Sequence, residues 1–308
     1  MRPLVVGTRK SELAMTQTKW VVNQLREAHP DLQVSLEKIV TKGDRILNVT
    51  LSKVGGKGLF VKEIEQALLD KRIDFAVHSM KDMPGEMPEG LVIGAIPPRE
   101  NPHDCLLTRK GCTLRDLPEG SLVGTSSLRR QAQLLAIRPD LRVEPVRGNL
   151  GTRLQKMKDG EFDAIILAAA GLSRMDWKEE IHDELSAEEM LPAVGQGALA
   201  IQCRADDEEL LAALQSIHDE ETGRAVRAER AFLQTFQGGC HLPVAAYAQV
   251  IGEDVQLTGL VGQPDGKKII KGSLTGKDEQ SVGQQLAEQL TEQGAGRLLA
   301  AVREGLVG

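Results

Sequence analysis

LVVGTRKSELAMTQTKWVVNQLREAHPDLQVSLEKIV, residues 4–40, is the stretch on which the reading of the fold turns. An apolar run at 4–7 is strand-sized. Leu13, Trp20, Val21, Leu25 and Ala28 then recur at helical spacing, and Pro30 ends that pattern. Residues 34–40 read as a second strand. Working outward, Phe60, Val61, Ile64, Ala67 and Leu68 mark one face of another helix, and 73–78 and 91–96 are again strands. Strand and helix in alternation predict a largely parallel sheet covered by helices.

The alternation breaks at 97–104 (PPRENPHD), which reads as a linker, and then resumes. Strands are expected at 105–108, 121–124, 142–146 and 165–169, with a helix over 126–137. Thr152 and Gln155 fit a capping box opening a further helix. Pro192, Gly195 and Gly197 mark a second crossing point within 190–203. From Asp206 the character changes: helices over 206–217 and 222–237, three strands near 244–250, 255–261 and 267–274, and a closing helix. Turn signals at 252–254 and 264–266 make those strands antiparallel, so this last block is α+β.

The chain has 308 residues, enough for two or three domains, and 41% hydrophobic residues supply a core. Aromatics are only 3%, so that core is built from Leu, Val, Ile and Ala. A net charge of −6 and few stacking rings argue against a nucleic-acid partner. The N-terminal apolar run is too short for a signal peptide, and the longest apolar stretch, 164–170, falls far below a membrane span. Cys105, Cys112, Cys203 and Cys240 show neither a CxxC pair nor metal-ligand spacing. No metal is expected, and the thiols fit a reduced, cytoplasmic protein.

Four strand ends carry cations. In TSSLRR (125–130), Ser126 and Ser127 open a helix whose first turn holds Arg129 and Arg130. Positive side chains at a helix N-terminus oppose its dipole, a conflict that a bound anion removes. The alternative is a serine cap followed by two solvated arginines. RGNLGTR (147–153) places Arg147 and Arg153 around a Gly–Asn loop after a strand. Arg9, Lys10 and Ser11 follow the first strand, and Arg174 follows the strand at 165–169. Ligands of α/β proteins bind at such strand ends, and recurring arginines there point to several carboxylates or phosphates.

Two segments carry reactive groups. HSMKDMP (78–84) sets Lys81 and Asp82 at a strand end. Asp82 reads either as a general acid or base and counter-ion, or as a turn residue capping local backbone; His78 reads as a hydrogen-bonded structural group. GGCHLP (238–243) holds Cys240 on a glycine-flanked turn, as a nucleophile or covalent anchor, or as a small buried hydrophobe. KVGGKGLF (53–60) lacks the P-loop pattern and reads as a mobile lid.

In this order and spacing, HSMKDMP, GTSSLRRQAQL, VRGNLGTRLQK, LPAVGQGALAIQCR and GGCHLPV resemble the hydroxymethylbilane synthase (porphobilinogen deaminase) family over essentially the full chain. The resemblance implies an α/β fold of two domains of the type II periplasmic-binding-protein kind, each with a mainly parallel five-stranded sheet. A small α+β domain with a three-stranded antiparallel sheet follows. The implied boundaries are 1–97 with 198–216, then 103–191, then 220–308. The implied reaction joins four porphobilinogen units head to tail with loss of ammonia, on a dipyrromethane cofactor held by a thioether to Cys240, and then hydrolyses the product off. Asp82 matches the catalytic aspartate. Lys81, Thr125, Ser126, Ser127, Arg129, Arg130, Arg147 and Gly148 match cofactor-binding positions. Arg9, Ser11, Arg147, Arg153, Arg174 and Gln196 match substrate-binding ones, with Lys57 and Phe60 in the lid. The implied protein is a monomer in the cytoplasm that binds neither nucleic acid nor membrane. Each pyrrole brings two carboxylates, so the ligand gains negative charge as it grows, which accounts for the arginines. A pure anion-binding module and another enzyme acting on a polycarboxylate or phosphate are the competing readings.

Overall fold

The computed structural model describes residues 2–45, 61–237 and 242–307. Strand β1 (Leu4–Arg9) leads into helix α1 (Glu12–Ala28), which Ser11 caps by accepting from the Ala14 N–H, and then into β2 (Val34–Ile39). A single turn α2 (Lys42–Arg45) follows, and α3 (Lys62–Leu69) leads to β3 (Phe75–Ser79) and β4 (Leu91–Ala95). The second block holds β5 (Asp104–Thr108), β6 (Leu122–Gly124), α4 (Leu128–Ile137), β7 (Arg142–Glu144), α5 (Leu150–Lys158), β8 (Ala164–Ala168), α6 (Ala169–Arg174) and β9 (Asp183–Leu185). The chain returns through β10 (Leu199–Arg204) and α7 (Glu208–Leu214). It ends with α8 (Glu220–Thr235), β11 (Val244–Ile251), β12 (Asp254–Gly262), β13 (Ile269–Gly276), α9 (Glu279–Glu292) and α10 (Ala295–Val307).

These strands form two five-stranded sheets, ordered β2-β1-β3-β10-β4 and β7-β6-β8-β5-β9, and one antiparallel sheet β11-β12-β13. Each large sheet is mixed. Four strands share one direction, while β10 in the first and β5 in the second run against both neighbours. Those two strands are the ones that the chain enters directly from a crossover. Arriving from the neighbouring lobe, the chain meets the sheet at its opposite end, so the parallel rule for βαβ units does not apply there.

The crossovers touch. Gly197 has φ +88°, and a Cβ there would lie 2.3 Å from the Glu100 carbonyl oxygen, so glycine is required where the two segments pass. Separate apolar cores fill the lobes: Val6, Phe75 and Ile201 in the first, Leu107, Ile165 and Leu172 in the second, Phe232, Leu257 and Leu286 in the third.

Two local expectations are corrected. The helix at 150–158 is capped by Asn149, which accepts from the Thr152 N–H, so Thr152 and Gln155 lie inside it. The C-terminal helix is two helices, broken at Gly294, whose φ is +105°.

Candidate functional site

Most of the predicted residues that are described follow strands of the first two lobes, while Gln196 lies in the second crossover ahead of β10. Arg9 ends β1, and Ser11 caps the helix after it. Asp82 closes a 3-10 turn (Met80–Asp82) directly after β3. The Asp82 carboxylate is exposed and makes no hydrogen bond among the described residues. With Arg9, Ser11, Gln17, His78 and Ser79 it lines a narrow cleft of about 70 Å³. His78 is buried and bonds the Gln202 side chain at 3.1 Å, and burial pushes its pKa down to about 4, so it stays neutral. Lys81 has no hydrogen-bond partner among the described residues. Desolvation by the surrounding protein, reinforced by Arg130, lowers its pKa to about 8 against the pull of Asp82.

The second lobe supplies the facing wall. Ser127 caps α4, Thr125 accepts from the Ser127 N–H at 3.2 Å, and Ser126 donates to the Val146 carbonyl at 2.8 Å. These hydroxyls tie the loop after β6 to the loop after β7. There Gly148, with φ +111°, leaves no room for a side chain beside Thr152. Its carbonyl accepts from Arg153 Nε at 2.8 Å. Burial, with help from Arg130 and Arg147, lowers the Arg153 pKa to about 10; Arg174, likewise desolvated to about 10, donates to the Gly197 carbonyl at 2.7 Å. Arg147 keeps its guanidinium without a hydrogen bond among the described residues.

Arg129 and Arg130 already have an internal partner. The anion that relieves the helix N-terminus is the protein's own Asp104, fully buried at the start of β5. Its Oδ2 accepts from Arg129 Nη1 at 2.6 Å. Its Oδ1 accepts from Arg129 Nη2, Arg130 Nε, Arg130 Nη2 and Gln196 Nε2, at 3.2, 3.0, 2.7 and 2.9 Å. Burial alone would raise the Asp104 pKa, but Arg129 and Arg130 hold it far below the carboxylate range. Both arginines also donate to carbonyls, of Leu191 and Ile166 respectively. They are therefore scaffold as well as field, and the solvated-arginine alternative fails because both are buried. The sequence reading left Asp104 in a linker. The only hint of its role was the unmet charge of the two arginines.

Glu229 is a second residue that the sequence did not single out. Fully buried in α8, it accepts from Arg99 in the first crossover, from the Gly195 N–H in the second and from the Ala248 N–H in β11. Lys57, Phe60 and Cys240 lie outside the described residues. A larger groove, about 720 Å³, runs between Leu128, Pro264, Lys268, Arg297 and Leu298, but holds none of the predicted site residues. Of the predicted site residues, the smaller cleft holds Arg9, Ser11 and Asp82.

Lys81 and Arg153 lie within the electrostatic reach of Asp82, and Arg129 and Arg130 pair with Asp104. One further buried acceptor, Gln196 Oε1, has no partner among the described residues. Two α/β lobes joined by paired crossovers, with cations following several of their strands, define a two-lobed α/β protein with a third, α+β body. Residues 4–212 match the family profile described as "Porphobilinogen deaminase, dipyromethane cofactor binding domain", and residues 224–292 match that of the porphobilinogen deaminase C-terminal domain. The chain is 61% identical over 299 residues to the porphobilinogen deaminase of Brevibacillus brevis, covering 96% of each chain. It is 56% identical to that of Bacillus subtilis over 308 residues, 99% of this chain and 98% of the other. A similar solved structure, the periplasmic aliphatic sulphonate binding protein of Escherichia coli, shares 13% identity over 77% of this chain and 71% of that one, at a TM-score of 0.41. The chain belongs to the porphobilinogen deaminase family. Among the described residues no helix is long and apolar enough to cross a membrane.

Proposed function

We propose that this chain is a transferase that joins porphobilinogen units head to tail, releases one ammonia at each step, and frees hydroxymethylbilane by hydrolysis. The three bodies act as domains bounded at 1–97 with 198–216, 103–191 and 220–308, in a monomeric cytoplasmic enzyme that needs neither nucleic acid nor membrane. The observation that carries the reading is an exposed carboxylate, Asp82, with no hydrogen bond among the described residues, within the charge field of the desolvated Lys81 and Arg153.

The residues present fit a dipyrromethane. Its acidic side chains suit Lys81 and Arg147, which lack partners among the described residues, and a pyrrole N–H suits the orphaned Gln196 Oε1. Cys240 is the anchor, because a thiolate attacks carbon readily and the thioether is inert. When bound, the group supplies the nucleophilic pyrrole carbon to which the first unit is added. The protein's part is electrostatic and positional. Lys81, Thr125, Ser126, Ser127, Arg129, Arg130, Arg147 and Gly148 hold the cofactor end. Arg9, Ser11, Arg147, Arg153, Arg174 and Gln196 hold the incoming unit, with Lys57 and Phe60 closing over it. As the substrate C–N bond breaks and ammonia leaves, Asp82 stabilises the resulting cation. A carbon–carbon bond then forms, and Asp82 takes the proton lost from the attacking pyrrole carbon.

Intact mass of the purified protein tests this. The wild-type chain should exceed its sequence mass by two linked pyrroles, mapped by peptide to Cys240. Cys240→Ser should fold, carry no adduct and lack activity. An adduct on Cys105, Cys112 or Cys203, or turnover by an unmodified chain, would overturn the assignment.

A further inference from the structure

The turn that carries Asp82 belongs to the first lobe, yet its backbone is gripped from the third. Arg230 Nη2 donates to the Pro84 carbonyl at 2.8 Å and to the Gly85 carbonyl at 3.3 Å. Its Nη1 lies 4.0 Å from the sulfur of Met80, at the start of the same turn. One helical turn along α8, Gln234 Nε2 donates to the Gly85 carbonyl at 2.6 Å. Residues four apart share a helix face, so Arg230 and Gln234 act as one clamp on this segment.

Arg230 is an unusual choice for gripping neutral carbonyls. No carboxylate pairs with it among the described residues, and desolvation lowers its pKa. A neutral donor would serve a mere strut with less desolvation. The reach of the guanidinium and the two hydrogens on Nη2 let one nitrogen hold two successive carbonyls while Nη1 lies against Met80.

The next residue back, Glu229, binds both crossovers. Helix α8 ends at Thr235, and Cys240 follows five residues later. A helix rises about 1.5 Å per residue, so Arg230 fixes the Asp82 turn roughly 8 Å along a rigid rod from the point where the cysteine segment departs. We propose that Arg230 is a positioning residue of the reaction, registering the Asp82 carboxylate from the third lobe without touching it. The inference rests on the roles given above to Asp82 and Cys240.

The test uses the full chain with its adduct. Arg230→Met keeps the stem and removes the donors. We expect kcat to fall on the order of 10- to 100-fold, the scale of an ångström of misplacement. KM for porphobilinogen should stay within about 2-fold, the Cys240 adduct should remain stoichiometric by mass, and the melting temperature should move little, since the clamp is local. Arg230→Lys, able to hold one carbonyl, should recover part of kcat. A folded Arg230→Met with kcat within about 2-fold of wild type overturns the proposal, as does a kcat loss that merely follows loss of adduct or of folded protein. If Arg230→Met does not fold, Arg230→Lys and the exposed Gln234→Ala carry the test, and unchanged kcat in both overturns it. An absent adduct on wild-type chain would instead show that the underlying reading had failed.

Discussion

Asp104→Asn tests whether the arginines of the second lobe are prearranged by a carboxylate of the protein itself. Asparagine keeps the shape, and its carbonyl in the Oδ1 position retains the four acceptor contacts there. Its amide, in the Oδ2 position, then faces the Arg129 Nη1 that now donates at 2.6 Å, so donor meets donor. Two buried guanidiniums also lose their counter-ion. Removing one partner of a buried ion pair costs about 3–5 kcal/mol. At roughly 2–4 °C per kcal/mol, the melting temperature should drop by about 6–20 °C. Thermal unfolding followed by circular dichroism reads this directly. Arg129→Met added to Asp104→Asn should cost less than the sum of the two single changes, because the contact is lost once. A polycarboxylate such as citrate should recover more of the variant's stability than of the wild type's. The pH sense is fixed too: Asp104 has its pKa lowered on folding, so its contribution is complete above the unfolded value near 3.8 and is lost as pH falls below it. A melting point within about 2 °C of wild type, with additive single and double changes, would refute the reasoning.

Asp82→Asn should leave fold and adduct intact while cutting kcat on the order of 100-fold or more, measured by steady-state assay on homogeneous protein. Lys81, at about 8, is charged below that pH and neutral above it, so ligand affinity should fall as pH rises through 8. Measured from pH 6.5 to 9.5, Lys81→Arg should flatten that step and Lys81→Met should remove it while weakening binding at pH 7. A step that survives in Lys81→Met would assign it elsewhere. The unliganded protein should show the opposite trend in stability: its lowered lysine penalises folding below pH 8, and that penalty fades between about 8 and 10.5.

The layers were legible because their causes are local. Period-2 and period-3.6 patterns located most strands and helices to within a few residues, and glycine and proline marked both crossovers, but the strands β9 and β10 and the short helix α6 were not read from the sequence. Strand direction was not legible for β5 and β10. Alternation implies parallel pairing only while the chain stays in one sheet, and a crossover resets the end from which it enters. Position after a strand was legible for Arg9, Asp82 and Arg147, while Arg174 closes the short helix that follows its strand. Arg230 and Glu229 were not legible, since each lies in a helix whose other residues explain it adequately as an amphipathic rod.

Asp104 shows where sequence reasoning stops. Burial forbids an unpaired charge, so two arginines in one buried helical turn require an anion somewhere. The sequence states that demand but not its supplier. A ligand and a distant aspartate satisfy it equally well on paper, and Asp104 sits in a stretch whose prolines read as linker. Folding decides for the aspartate, because β5 begins at the mouth of the first crossover, where α4 and Gln196 of the second crossover converge. One carboxylate therefore joins both crossovers to the arginine-bearing helix, and the cations are already aligned before any ligand arrives. That lowers the ordering cost of binding a flexible polycarboxylate. Lys81 and Arg147, by contrast, make no hydrogen bond among the described residues.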